Sequence, residues 1–196
     1  MKRRSIALLL LATILIAAYV VSTCYFDYSY ISTVVATVVA ALGILGVCVQ
    51  LKKEADITEA EFLMNFNFAF LTTEKFVAME RALEDAMKAK KSLEVTAENR
   101  QNLIDYLVYL ESLAPLILNG MLRLDVVDDL FGYRFFIAVN NNGVQKEELC
   151  PEGKYYRGIF SLYRVWAKYR RRKRIEIPME ETSLDKHEAF EKYARK

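Results

Sequence analysis

Two apolar stretches lie end to end at the start of the chain, Ser5 to Phe26 and Tyr28 to Leu51, with only Asp27 between them and no charge inside either. Each is long enough to cross a bilayer as a helix, at 1.5 Å rise per residue against a hydrocarbon core of roughly 30 Å. The expected fold is all-α. Transmembrane helical segments arranged as a hairpin come first (1–53, spans about 5–26 and 28–51). A cytosolic helical bundle follows (54–196) and ends in a short charged tail (175–196).

The net charge of +2 says nothing about partners, but its distribution does. Lys2, Arg3 and Arg4 precede the first stretch, and Lys52 and Lys53 follow the second. The positive-inside rule then puts both ends in the cytoplasm and the Cys24–Ser32 turn outside. Tyr25, Phe26, Tyr28 and Tyr30 sit at that turn and fit the aromatic belt of a membrane interface. A cleaved signal or lipoprotein box around Val21-Ser22-Thr23-Cys24 is the competing reading. Thr23 is too large for such a box, and a second full-length span after a lipid anchor is redundant. A signal anchor with one true span is a further alternative. Cys24, Cys48 and Cys150 have no metal-ligand spacing and read as unpaired thiols acting as small apolar residues.

The second stretch carries Thr33, Ala36, Thr37, Ala40, Ala41, Gly43 and Gly46. Ala36, Ala40, Gly43 and Gly46 form a small-residue face, and in lipid the close approach of backbones over such residues drives helix association. The partner is either the chain's own first helix or another protomer. With no ionisable group inside a span, a proton relay or ion-coupled transporter is disfavoured.

After the spans, Thr58 and Glu61 match a capping box that opens a helix through Phe62, Leu63, Phe66 and Phe70. Phe76, Met79, Leu83 and Met87 continue an apolar stripe. Thr96 caps the next helix, Pro115 disturbs it, and Asn119-Gly120 closes it. A helix from about Asp125 to Asn140, a long helix over about Lys154 to Arg174, and a short terminal helix after Ser183 complete the expectation. Asn140 to Gly153 reads as loop, and no strands are expected.

No complete catalytic signature follows the spans, so the chain is expected to be non-enzymatic, with no cofactor and no metal. Asp125, Asp128 and Asp129 are read as carboxylates at the positive end of a helix dipole rather than as a metal cluster. Arg164, Lys168, Arg170, Arg171, Arg172, Lys173 and Arg174 form a basic patch interleaved with Tyr163, Trp166 and Tyr169. Three readings compete for it: a solvated helix end, a contact with anionic lipid or a neighbouring protomer, and RNA binding. The acidic block Glu176, Glu180, Glu181, Asp185, Glu188 and Glu191 is placed to fold back on it. His187, the only histidine, has no nucleophile beside it and reads as an exposed tail residue.

Two segments, Asp128 to Asn140 and Tyr156 to Arg174 with its Leu162-Tyr163-Arg164-Val165-Trp166 core, resemble small bacterial membrane proteins with an N-terminal span and a helical cytosolic domain. The overall plan is similar to that of the small accessory membrane proteins encoded beside type VI-B CRISPR effectors, which carry a divergent HEPN-type helical domain. HEPN ribonucleases use Arg-x4–6-His, the arginine on phosphate and the histidine in proton transfer. Arg134 and Asn140 keep the spacing, but asparagine titrates nowhere near neutral pH, so the resemblance implies lost nuclease chemistry. The competing reading makes Asn140 a helix C-cap and Arg134 an ion-pair partner of Asp128 or Asp129.

The resemblance implies a homo-oligomer in the bacterial inner membrane that permeabilises the lipid bilayer. It would enhance antiviral defence through a functional link to an RNA-guided RNA nuclease. A membrane-tethered HEPN-like RNA-binding protein or ribonuclease, and a passive membrane scaffold, are the alternatives.

Overall fold

The computed structural model describes residues 29–194, and the side chains of residues 35–194. The first expected span, the turn after it, Cys24 and the hairpin arrangement fall outside the described residues. Within them every regular element is helical. The helices are α1 (Ser29–Thr72), α2 (Glu74–Lys88), α3 (Arg100–Glu111), α4 (Leu113–Leu118), α5 (Leu124–Val139), α6 (Asn142–Val144), α7 (Arg157–Lys173) and α8 (Ala189–Tyr193). A π-helical turn (Gln145–Leu149) and two 3-10 turns (Glu180–Thr182, Leu184–Lys186) join them.

The chain divides into two units, Met1–Thr58 and Glu59–Lys196, so the boundary falls inside α1. In the first unit α1 is the one helix among the described residues long and apolar enough to cross a membrane. Its candidate span starts at Val35, reaches a mean hydropathy of 2.0 and has none of its apolar window buried. The expected helix start at Thr58 is not observed. Thr58 lies inside α1, and its hydroxyl donates to the Glu54 carbonyl at 2.9 Å. A capping box acts only where the chain enters a helix from non-helical backbone. Here Lys52 to Ile57 holds no glycine or proline, so a helix already nucleated in the apolar stretch propagates through the box. The break comes later, at Thr73, whose extended backbone (φ −91°, ψ 101°) ends one helix and begins the next.

The second unit has one core. Leu63 and Phe70 from α1 enter it, together with Phe76, Met79 and Leu83 of α2 and Leu103, Tyr106, Leu107 and Leu110 of α3. At its centre lies α5, which buries Val127, Phe131, Phe135, Phe136, Ile137, Ala138 and Val139. A helix apolar on nearly every side must be covered on nearly every side. Helix α2 packs on α3 and α5, while α7 packs on α3, α4 and α8.

One sequence expectation holds here. Gly120 sits at φ 70° after α4, and Met121 N–H donates back to the Leu116 carbonyl at 2.8 Å while Gly120 N–H donates to Ile117. This is the left-handed closure that glycine supplies without a Cβ penalty. The expected cap at Thr96 falls three residues early: α3 starts at Arg100 with Asn99 as its cap residue, and Thr96 and Asn99 exchange bonds in the turn before it, Thr96 N–H to Asn99 Oδ1 at 2.8 Å and Asn99 N–H to Thr96 Oγ1.

The expected loop from Asn140 to Gly153 is instead ordered and largely buried. Asn141 Oδ1 accepts from Gly143 N and Val144 N, and from Leu93 N at 2.9 Å. Gln145 Nε2 donates to the Val139 and Thr182 carbonyls, both at 2.8 Å. The side chains that signal a loop in the sequence satisfy buried backbone groups here.

Candidate functional site

Three sets of residues singled out by the sequence have defined geometry. The first is the face of α1. Ala36, Ala40, Gly43 and Gly46 are exposed, and among the described residues no atom outside the local helix backbone lies within 4 Å of where a Cβ on Gly43 or Gly46 would sit. Cys48 is exposed on the same helix.

The second set is the basic run on α7, which divides into two. Arg164, Arg170 and Arg171 are bound within the chain. Arg171 donates to Glu180 at 3.1 Å and to Asp185 at 2.6 Å, and Arg164 reaches Glu191 at 3.0 Å. The acidic tail therefore folds back on the run. Lys168, Arg172, Lys173 and Arg174 stay exposed. Burial tends to raise the Asp185 carboxyl, but the bonds from Arg171 and Ser183 outweigh it and hold the group below its usual 3.8.

Arg170 takes a different role. Its Nε donates to Asp128 Oδ1 and its Nη1 to the Glu176 carbonyl at 2.8 Å, and its guanidinium lies 5.0 Å over the Phe136 ring. The same Asp128 oxygen accepts the Trp166 indole N–H at 2.6 Å. Asp128 is thus a buried anchor between α5 and α7, not a carboxylate on a helix dipole as the sequence reading had it. Asp125 alone occupies the first turn of α5. Gly132, one turn along α5, makes room for this pair, since a Cβ there would collide with the Arg170 guanidinium and the Asp128 carboxylate.

The third set is Arg134 and Asn140. Six residues on one helix are turned about 120° apart, and their bonds run to different elements. Arg134 Nε donates to Glu80 of α2 at 2.8 Å and Nη1 to Asn67 of α1 at 2.8 Å, with the guanidinium 4.6 Å over Phe70. The expected pairing with Asp128 or Asp129 is not made, because Asp128 is held by α7. Asn140 is the C-cap of α5, as one reading required. Its Nδ2 donates to the Pro178 carbonyl at 2.8 Å, and its Oδ1 accepts from Leu184 N at 3.0 Å. Thr182 Oγ1 returns a bond to the Asn140 carbonyl at 2.6 Å. Asn140 therefore clamps the tail.

Two further carboxylate nodes, Glu148 buried and Glu111 half-buried, left no mark in the sequence. Glu148 accepts from Arg100 Nε at 2.9 Å and from the Tyr156 hydroxyl at 2.8 Å, and burial followed by that carboxylate pushes the Tyr156 phenol upward. Glu111 of α3 accepts from Gly158 N at 2.7 Å, capping α7 from a distant element, with its pKa raised by burial. The Arg100–Glu148 and Gly158–Glu111 contacts each span nearly fifty residues, beyond the reach of any local pattern. The Tyr163 hydroxyl lies buried beside Ser183 and Asn140, and burial drives its pKa up to about 12.

His187 is half-buried, not exposed, and its Nδ1 accepts the Ala189 N–H at 3.1 Å at the start of α8. Cys150 is half-buried, and burial followed by the nearby Glu188 raises its thiol to about 11. Among the described residues no group of acidic, histidine or cysteine side chains is arranged to hold a metal.

No protein-family model matches the chain, and no curated protein and no solved structure matches it.

Proposed function

We propose that the chain is a membrane-anchored helical protein that assembles with copies of itself and acts through the bilayer rather than through a catalytic centre. The observation that carries this reading is the apolar half of α1. Among the described residues nothing covers its uncharged surface, and a helix of that kind finds its favourable solvent in lipid. The small-residue face Ala36, Ala40, Gly43 and Gly46 supports association there, since it lets a second helix approach closely. Lys52 and Lys53 after the span support a cytoplasmic position for the helical domain, and the resemblance in layout to small bacterial membrane proteins supports residence in a bacterial inner membrane. The separate hydrogen-bond partners of Arg134 and Asn140 support a reading without nuclease chemistry, because both side chains hold the fold.

In its finer form the assembly is a pore that depolarises the membrane during antiviral defence, next to an RNA-guided RNA nuclease. That form rests on the resemblance in layout to the CRISPR accessory proteins. The test is the mass of the detergent-solubilised full chain together with dye release from liposomes. A multimer that releases dye is expected. A monomer that leaves liposomes sealed overturns the reading, and RNA cleavage abolished by Arg134→Ala, with folding intact, would replace it by a tethered ribonuclease.

A further inference from the structure

Beyond the apolar span, α1 continues into the second unit with two sides of different character. Leu63 and Phe70 face the core, and Phe66 packs against it. Met64, Phe68 and Leu71, at steps of four and three residues, lie on the other side and are 65%, 68% and 50% exposed. A single exposed apolar side chain needs no explanation, but three large ones on one helix stripe mark a contact surface.

We propose that this stripe is a docking surface for the same stripe of a second copy of this chain, outside the hydrocarbon core. The inference deepens the membrane-assembly reading and rests on it. Two arguments identify the occupant. The first is register. Counted back from Leu71, steps of three and four run through Phe68, Met64 and Glu61, the spacing of a helix-to-helix seam. A copy anchored in the same bilayer with the same orientation presents the same series in parallel.

The second argument is area. With roughly 200 Å² for a fully exposed large side chain, Met64, Phe68 and Leu71 offer about 350 Å² per chain. Two copies bury about 700 Å² of apolar surface, and an interface about 60% apolar then totals about 1,200 Å², the lower edge of the standard class. Shared anchoring raises the effective concentration and makes an interface of that size sufficient.

The Glu61 side chains of the two copies interrupt the seam. In a parallel pair they bring like charges face to face, which weakens contact and keeps the stripe from sticking indiscriminately. The same feature supplies a gain-of-function test.

The experiment uses the full chain in detergent and in nanodiscs, with mass read by light scattering. The variants are Met64→Glu/Phe68→Glu, Glu61→Leu, and Val108→Glu as an exposed control on α3. The expected result is a drop in mass of at least twofold for the double variant, no change for the control, and a tighter assembly with Glu61→Leu. A double variant that keeps the wild-type mass overturns the docking surface and leaves assembly to the span alone. A monomeric wild-type chain overturns both. If the double variant loses helical signal, the decision passes to Met64→Cys in a chain with Cys24, Cys48 and Cys150 changed to serine. Chain-to-chain disulfide formation at 64 supports the proposal. Labelling of that thiol by a lipid-borne probe, with no cross-link, overturns it.

Discussion

Asp128→Ala is the substitution that most directly tests how the second unit is held together. One carboxylate oxygen serves two donors there, the Arg170 Nε and the Trp166 Nε1, in a site where the Asp128 and Arg170 side chains are only 5% and 9% exposed. Removing the acceptor leaves a guanidinium buried without its counter-charge, at a cost of about 3–5 kcal/mol. The orphaned indole N–H adds about 1 kcal/mol or more. Against a total stability of about 5–15 kcal/mol for a domain, that is a large fraction.

Asp128→Asn keeps an acceptor but removes the same counter-charge, so it should cost less than the alanine variant, about 3 kcal/mol. Asp128→Ala combined with Arg170→Met should be less damaging than Asp128→Ala alone, because it removes the stranded charge and fills the space with an apolar chain. The assay is urea unfolding of the full chain in detergent micelles, read by tryptophan emission. Trp166 is the only tryptophan, and it touches the perturbed carboxylate. With a slope of about 2 kcal/mol per molar urea, the alanine variant should lower the midpoint by about 2 M. A shift under about 0.5 M, or a double variant worse than the single one, would refute the assignment of Asp128 as an inter-helix anchor.

Asn140→Ala strands the Pro178 carbonyl and the Leu184 N–H, about 1–3 kcal/mol for each group left unsatisfied. Hydrogen exchange should speed up first in residues 175–194, and uniform exchange across the domain would contradict the clamp. The tail also carries a pH signature. Asp185 is held below its usual 3.8, so its contribution is present above that value and is lost as pH falls through the lower folded-state pKa. Tail amides should lose protection below about pH 3.8 and not between pH 5 and 7. Cys150, with its thiol near 11, should be about 10⁻³ ionised at pH 8 and alkylate far more slowly than an ordinary cysteine in a Cys24→Ser/Cys48→Ser chain. Rapid alkylation of the folded chain would contradict its burial.

Legibility in the sequence followed the range of the interactions. The stripe Phe76, Met79 and Leu83 and the Gly120 closure depend on residues a few positions apart, and both were read correctly. The break between α1 and α2 was not placed. The capping box at Thr58 suggested a boundary that helix propagation overrode, while the true one at Thr73 has a cap residue with no side-chain cap bond to advertise it. The polar run Asn140 to Gln145 was misread because its composition suits solvent, whereas its partners, Leu93, Pro178, Thr182 and Leu184, come from segments far along the chain.

The amino-acid order alone settled the all-helical character, the apolar stretch able to cross a bilayer and the basic run on the last long helix. These are local properties of composition and period. Only the folded arrangement decided which charges are paired. Asp128 took Arg170, Glu80 took Arg134, and Glu180 and Asp185 took Arg171, leaving Lys168, Arg172, Lys173 and Arg174 exposed at the end of α7. The choice depends on which side chains share a buried boundary between helices, and residues forty or fifty positions apart meet there only after the core around α5 has formed.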